Sequence, residues 1–510
     1  DEAALGYNAY SILKTGRDEY GQLFPIIFKS FGDYKPGLYI YLTVPSVAIF
    51  GLNEFAVRFP GALAGIMAVW LIYLIVRLLF TENKQLATIS AFIMAVTPWS
   101  IHFSRGAWEV NVSLTLTLAG IYFFLKSLQK PKFLILSALS FSLTLLTYHG
   151  AKLSTGIVLL ILLLLYWKKI IRIKKRILVL SIAAGLLISL PTVLSFFRGQ
   201  TGRLTVYSLF SYSRPKEYVE IFLDPGEKRI GDFNYYLFHS EALNYTRVVI
   251  NHWFNHFSGR FLFFEGDWSN PRHSAPYQGM LLLSDLILLI CGFVVLVKKG
   301  LKRETAFIWL WLILAPLPAI LSRDQVHAIR AMNTVIPIII ILSFGLDNIL
   351  RRSKLIKYGF SLIFFLSFVY YLDAYFVHIP KHNGEDWYYG YEQAVEYITP
   401  IQDKYEKIIF LQSYNQPYIF FLFYQKYDPL KYQPKAHLVD EGLDVGLVDK
   451  LDNIKFEEFS WPYATGQKGT LVIGDNISIP EYYGEANYTL LKEIRYPDNY
   501  KIAFRIVEVK

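Results

Sequence analysis

Cysteine is nearly absent from this 510-residue chain, with Cys291 alone inside an apolar run, so no intrachain disulfide and no cysteine-based metal site can form. Charge is sparse as well: Asp, Glu, Lys and Arg make up 18% of residues, against 54% hydrophobic and 17% aromatic. Mean hydropathy is positive at +0.32. There is no internal repeat, no low-complexity tract and no compact His/Asp pattern with metal-ligand spacing. Cysteine usage therefore says nothing about redox compartment, and long apolar stretches with this composition indicate a membrane protein and not a soluble core. A net charge of +10 could suggest nucleic acid, but the basic residues sit in short loops between apolar runs. The chain begins at Asp1 without Met and without a visible signal peptide, and it is read as having a segment upstream.

Ten apolar runs are present, at about 57–80, 86–103, 111–127, 132–148, 152–167, 176–197, 278–298, 305–322, 331–350 and 356–376. Each approaches the ~20 residues a helix needs to cross the hydrocarbon core, and helices satisfy their own backbone in lipid. An eleventh run, Leu38 to Phe50, is short and holds Pro45, so it reads as interfacial or re-entrant. Loops after the odd-numbered runs are strongly basic, as in Lys126, Lys130 and Lys132, in Lys168 to Arg176, in Lys298 to Arg303 and in Arg351 to Lys357. The positive-inside rule makes these loops cytoplasmic and the loops 104–110, 149–151, 198–277 and 323–330 external. Both ends are then external, and one helix is expected upstream of Asp1. The expected architecture is a mainly α, polytopic protein with a transmembrane domain over 1–376 and an extracytoplasmic α/β domain over 377–510. Residues 1–56 form the first external loop with interfacial helices, and 198–277 a long external loop. In the C-terminal part, Lys407–Leu411, Gly469–Gly474, Leu490–Ile494 and Ile502–Val509 read as strands, and Tyr391–Ile398 and Tyr418–Tyr424 as helical turns.

On the outer side, titratable residues gather at the membrane boundary. They include Asp1-Glu2, Asp33-Tyr34-Lys35, His102 to Glu109, His149 to Lys152, Glu265 to His273 and Arg323 to Arg330. Charge beside hydrocarbon is costly, so a ring of it points to a polar cavity opening outward. Carboxylates there can take a proton from a nucleophile, and cations can hold a phosphate. Each residue also has a plainer reading. Asp1 could cap a helix, and Lys35 could reach to headgroups. Arg105 and Glu109 could form an i,i+4 pair. His102 and His149 could be structural hydrogen-bonders, and Arg272 with His273 could anchor headgroups.

Asp1-Glu2, the phrase Lys35-Pro36-Gly37-Leu38-Tyr39 and the stretch Phe50 to Pro60 resemble the first external loop of GT-C membrane glycosyltransferases. The similarity is to glycosyltransferase family 39 and its bacterial relatives, among them protein O-mannosyltransferases and lipid A aminoarabinose transferases. The resemblance implies transfer of a hexosyl or pentosyl group, with inversion, from a polyprenyl-phosphate donor to an acceptor hydroxyl. It implies a catalytic pair, with Asp1 as the base and Glu2 as its acidic neighbour. It places Glu109, Lys152 and Arg330 at the family's further acidic and basic positions. Lys35, Arg105, His149 and Arg272 complete the expected substrate-binding set. No cofactor is required, because cations can hold the lipid phosphate, though a divalent ion among Glu109, His102 and His149 stays open as an alternative. The expected partners are the lipid-linked donor, an acceptor protein, lipid or glycan, and the bilayer, with no nucleic acid. Two other classes compete, a lipid or sugar transporter or flippase, and a receptor with an external sensing domain. A transporter leads one to expect repeats and midplane charge, whereas the centres of these runs are nearly free of charge, with Asp285 the main exception and nearer the outer end. The topology is checked with fusion reporters: one after Arg176 should sit in the cytoplasm and one after Lys510 outside, and a cytoplasmic Lys510 would overturn the span count.

Overall fold

The computed structural model describes residues 1–198, 207–215, 219, 233–412, 416–440, 446–481 and 487–510. Residues 199–206, 216–218 and 220–232 of the expected external loop lie outside that set. Every one of the ten apolar runs contains a helix. Among the described residues, seven helices are long and apolar enough to cross a membrane alone: Glu54–Leu79, Glu109–Ser127, Ala151–Ile170, Lys175–Ser195, Arg303–Ile320, Met332–Leu350 and Lys354–His382. This is a multi-pass membrane protein.

The remaining three runs depart from a simple span. The run at 86–103 is a bent pair, Lys84–Val96 and Pro98–Arg105, turning by 57°. Pro98 lacks the N–H that would continue the ladder, and Thr97 before it takes extended backbone. The runs at 132–148 and 278–298 hold shorter helices than expected, Phe133–Leu145 with 13 residues and Asp285–Lys298 with 14. The second starts late because residues 279–281 lie against the 261–262 backbone, where Met280 and Leu281 donate to Phe261 and Leu262. The Asp285 carboxylate then accepts from Leu282 N at 3.0 Å and sets the helix start.

Between helices in lipid, close packing takes the place of a hydrophobic drive, and small residues permit it. A Cβ on Gly292 would come within 1.9 Å of the Ile341 carbonyl oxygen, and one on Gly345 within 2.1 Å of the Leu288 carbonyl oxygen. These two glycines let the Asp285–Lys298 and Val335–Leu350 helices meet backbone to backbone.

The C-terminal part holds a six-stranded sheet in the order β6-β7-β3-β8-β10-β9. Its strands are β3 (Ile408–Leu411), β6 (Lys450–Leu451), β7 (Ile454–Glu457), β8 (Leu471–Gly474), β9 (Tyr488–Arg495) and β10 (Ile502–Val509). β3 pairs in parallel with β7 and β8, while β10 runs antiparallel to β8 and β9. The four predicted strands and two helical segments are present; β6 and β7 went unpredicted because Lys450 to Glu457 is short and charged.

The Glu2–Thr15 helix belongs as much to this C-terminal part as to the membrane helices. Its residues Ala3 to Ala9 are buried, and one apolar core joins Leu5, Tyr7, Tyr39 and Val57 to Phe410, Tyr418 and Phe423. Gly6 makes the approach feasible, since a Cβ there would meet Phe423 and Val57 at 2.6 Å. Just after this helix, Glu19 is fully buried. Its carboxylate accepts from Asn8 Nδ2 at 3.0 Å and lies 3.4 Å from the Tyr418 hydroxyl. Burial pushes its carboxyl up to about 8 from the usual 4.5. A carboxyl raised in the folded state stabilises fully below its unfolded value and loses that contribution as pH rises through the folded one. Thermal unfolding of the wild type should therefore fall relative to Glu19→Gln between about pH 4.5 and 8, and parallel curves for the two proteins would contradict the assignment.

Candidate active site

Strand β2 (Asp33–Pro36) pairs with β1 (Ile27–Ser30) as a hairpin whose turn residues Phe31 and Gly32 have φ of 54° and 90°. This hairpin was not predicted; Gly32 between Phe31 and Asp33 is the turn residue the sequence offered. Alternation along β2 puts Asp33 and Lys35 on one face, and both are buried. Gly37 ends the strand where a Cβ would strike the Phe28 ring at 2.3 Å, so the Lys-Pro-Gly phrase is a strand end folded tightly into the Leu38–Phe50 helix.

Lys35 Nζ meets Asp1 Oδ1 at 2.6 Å. Asp1 stands at the N-cap of the Glu2–Thr15 helix but makes no side-chain capping bond. Its carboxylate is turned to Lys35 instead. Glu2 is fully engaged: Arg58 donates to it at 2.6 and 3.0 Å, and Ala107 N donates to Oε1 at 2.8 Å. Glu2 thus ties three segments together.

A cavity of about 780 Å³ opens at this point. Asp1, Glu2, Lys35, Glu109, His149, Lys152, Arg272 and Arg330, all predicted, line it. Arg105 does not. It is exposed, and its guanidinium packs over Phe376 at 4.6 Å and Tyr375 at 5.3 Å, away from Glu109. Glu109 opens a separate helix, Glu109–Ser127, and makes no hydrogen bond or ion pair with the described residues. His149 Nε2 bonds the Tyr34 carbonyl oxygen at 2.7 Å, and His102 Nε2 the Arg272 carbonyl oxygen at 2.7 Å, so one histidine pins the strand that carries Lys35 and the other the turn that carries Arg272. Arg330 donates to Asp324 at 2.9 Å and stacks over Tyr207 at 5.0 Å.

The metal alternative among Glu109, His102 and His149 is not supported by the geometry. Among the described residues a different trio gathers, Asp267, His273 and His327, with one ligand atom from each within 4.8 Å of the others. Its present bonding is that of an oriented imidazole. His273 Nδ1 donates to Asp267 Oδ2 at 2.7 Å, and the same oxygen accepts from Ala328 N at 2.7 Å. Burial, reinforced by Arg330, holds His327 well below the usual imidazole range.

The cavity has a wall that the sequence did not reveal. Asp386, Trp387 and Tyr388, which follow the last span, and Phe420, Phe423 and Tyr424, on the Pro417–Tyr424 helix, also line it. The aromatic run Trp387 to Tyr391 was the available signal.

Residues 34–195 match the family model described as dolichyl-phosphate-mannose-protein mannosyltransferase. A stretch of 107 residues is 31% identical to YkcB of Bacillus subtilis (strain 168), which carries the name of a mannosyltransferase; it spans 21% of this chain and 15% of that relative. Among solved structures, ArnT from Cupriavidus metallidurans in the apo state aligns with a TM-score of 0.55 at 13% identity, over 99% of this chain and 92% of that one. ArnT bound to undecaprenyl phosphate aligns with the same score at 12% identity, over 99% and 93%. Replacing Glu2 by Ala leaves the Arg58 guanidinium and the Ala107 N–H unpaired and should cost about 1–3 kcal/mol of stability. A thermal midpoint in detergent equal to wild type would show that the clamp is idle.

Proposed function

We propose that this chain, which has the GT-C glycosyltransferase fold, is an inverting glycosyltransferase. It moves a sugar from a polyprenyl-phosphate donor onto an acceptor hydroxyl at the extracytoplasmic face. One observation carries this reading: the carboxylates of Asp1 and Glu109 and the cations of Lys35, Lys152, Arg272 and Arg330 share one cavity. Inversion puts the acceptor oxygen and the lipid phosphate on opposite faces of the anomeric carbon. As the acceptor bond forms, the bond from that carbon to the phosphate oxygen breaks, and its electron pair leaves with the phosphate. Cations facing the phosphate stabilise that charge. The hydroxyl proton passes to a carboxylate.

Asp1 is the proposed base. An ion pair keeps a carboxylate weakly basic, so Asp1 becomes competent when Lys35 is drawn from it onto the incoming phosphate. Glu2, predicted as its catalytic neighbour, serves by holding the start of the helix in place. Glu109, with no ionic partner among the described residues, is the second carboxylate able to take the proton.

Removing a general base costs ~10²–10⁴-fold in rate. Asp1→Asn should lower transfer from a labelled polyprenyl-phosphate sugar at least about a hundredfold and leave donor binding in place. Lys152→Ala or Arg330→Ala should weaken donor binding instead. Turnover by Asp1→Asn close to wild type would transfer the base role to Glu109, with Glu109→Gln as the next variant.

A further inference from the structure

The segment that leaves the last membrane helix folds onto the cavity in an unusual backbone. Tyr388 has φ 57°, in the left-handed region that a bulky aromatic rarely adopts. Gly390, at φ 107°, lies where a Cβ would meet Ala503 Cβ of β10 at 2.8 Å, so the tail of the segment is fixed against the sheet. At its head, Trp387 N donates to the Asn383 carbonyl oxygen at 3.1 Å and Tyr389 N to that of Gly384 at 2.9 Å. Asn383 Nδ2 lies 3.3 Å from Asp386 Oδ2 and 3.5 Å from the Pro271 carbonyl oxygen, which links this turn to the loop bearing Arg272. Strain held by so many constraints marks positions where side-chain direction matters more than backbone ease.

Three side chains emerge on the cavity side, Asp386, Trp387 and Tyr388. The Arg272 guanidinium lies over the Tyr388 ring at 5.6 Å, and Trp387 sits edge-on to Trp108 at 6.2 Å. Neither the Trp387 indole N–H nor the Tyr388 hydroxyl bonds to another described residue, and one Asp386 oxygen is likewise uncommitted. Rings with polar edges beside a carboxylate match the chemistry of a pyranose, which offers C–H faces to a ring and hydroxyl donors to a carboxylate. In a lipid-phosphate donor the sugar is joined to phosphorus through a single oxygen. A sugar whose phosphate lies on Arg272 must therefore reach the ring that packs against that cation.

We infer that Asp386, Trp387 and Tyr388 of the C-terminal part form the subsite that reads the hexose of the donor, while the cations of the membrane part read its phosphate. This subsite rests on the donor assignment proposed above, and the test separates the two. Purified full-length chain in detergent is titrated with three probes: undecaprenyl phosphate, undecaprenyl phosphate mannose and undecaprenyl phosphate glucose. Wild type should bind at least one of the sugar-bearing lipids more tightly than the bare lipid. Trp387→Ala and Asp386→Asn should each weaken that sugar-bearing lipid about tenfold and leave the bare lipid within about twofold. Trp387→Phe, which keeps a ring, should recover most of the loss. Equal weakening of bare and sugar-bearing lipids would mean a fold defect and would overturn the subsite. So would unchanged affinity for both, or a wild type that binds all three lipids alike, although phosphate recognition would then stand. A wild type that binds none of the three would overturn the donor assignment and the subsite with it.

Discussion

The Glu2–Thr15 helix is packed between the Glu54–Leu79 membrane helix and the Pro417–Tyr424 helix of the C-terminal part, and the two halves of the chain depend on its position. Gly6 sets the distance, because no larger residue fits between Val57 and Phe423. Glu2 sets the rotation by clamping Arg58 and the Ala107 amide. With distance and rotation both fixed, the Asp1 carboxylate is presented to Lys35 and not to the helix's own amides. Of two adjacent carboxylates, one is thus held by Arg58 and the Ala107 amide, and the other faces the cavity beside Lys35.

Much of this was readable from residue order alone, and the reason is physical. Lipid leaves the backbone few choices, so apolar runs become helices wherever they occur, and loop charges give them direction. That Asp1, Lys35, Glu109, Lys152, Arg272 and Arg330 line one cavity agrees with the expected topology, which puts all of them at one membrane boundary. Arg105 fell outside because position at a boundary does not specify angle. The Pro98–Arg105 helix ends in exposed Arg105, which finds Tyr375 and Phe376, while Gly106 to Trp108 turn the chain before Glu109. The β1–β2 hairpin and the Asp386 to Tyr388 wall were hidden for another reason. Both are short, and both are placed by contacts with residues more than a hundred positions away, so a local pattern such as the aromatic run Trp387 to Tyr391 does not say what it faces.

The histidines illustrate how neighbours decide a role that residue type leaves open. His102 and His149 each bond a backbone carbonyl oxygen, of Arg272 itself and of Tyr34 beside Lys35. His273 differs because the buried Asp267 fixes its Nδ1. Sequence gave these three no distinguishing mark; the partner does.

The shortness of two helices has a consequence for the membrane itself. Asp285–Lys298 and Phe133–Leu145, at 14 and 13 residues, are about 20 Å long, roughly 10 Å less than the hydrocarbon they would cross. Leu286, Ile290, Phe293 and Val297 of the first point outward as exposed apolar groups, and its backbone is locked to a neighbour through Gly292, so it cannot slide to suit the lipid. Local thinning of the lipid is then one way to match it, in which acyl chains beside this helix would compress. The lipid-phosphate donor proposed above would meet that thinner bilayer on its way to the cavity.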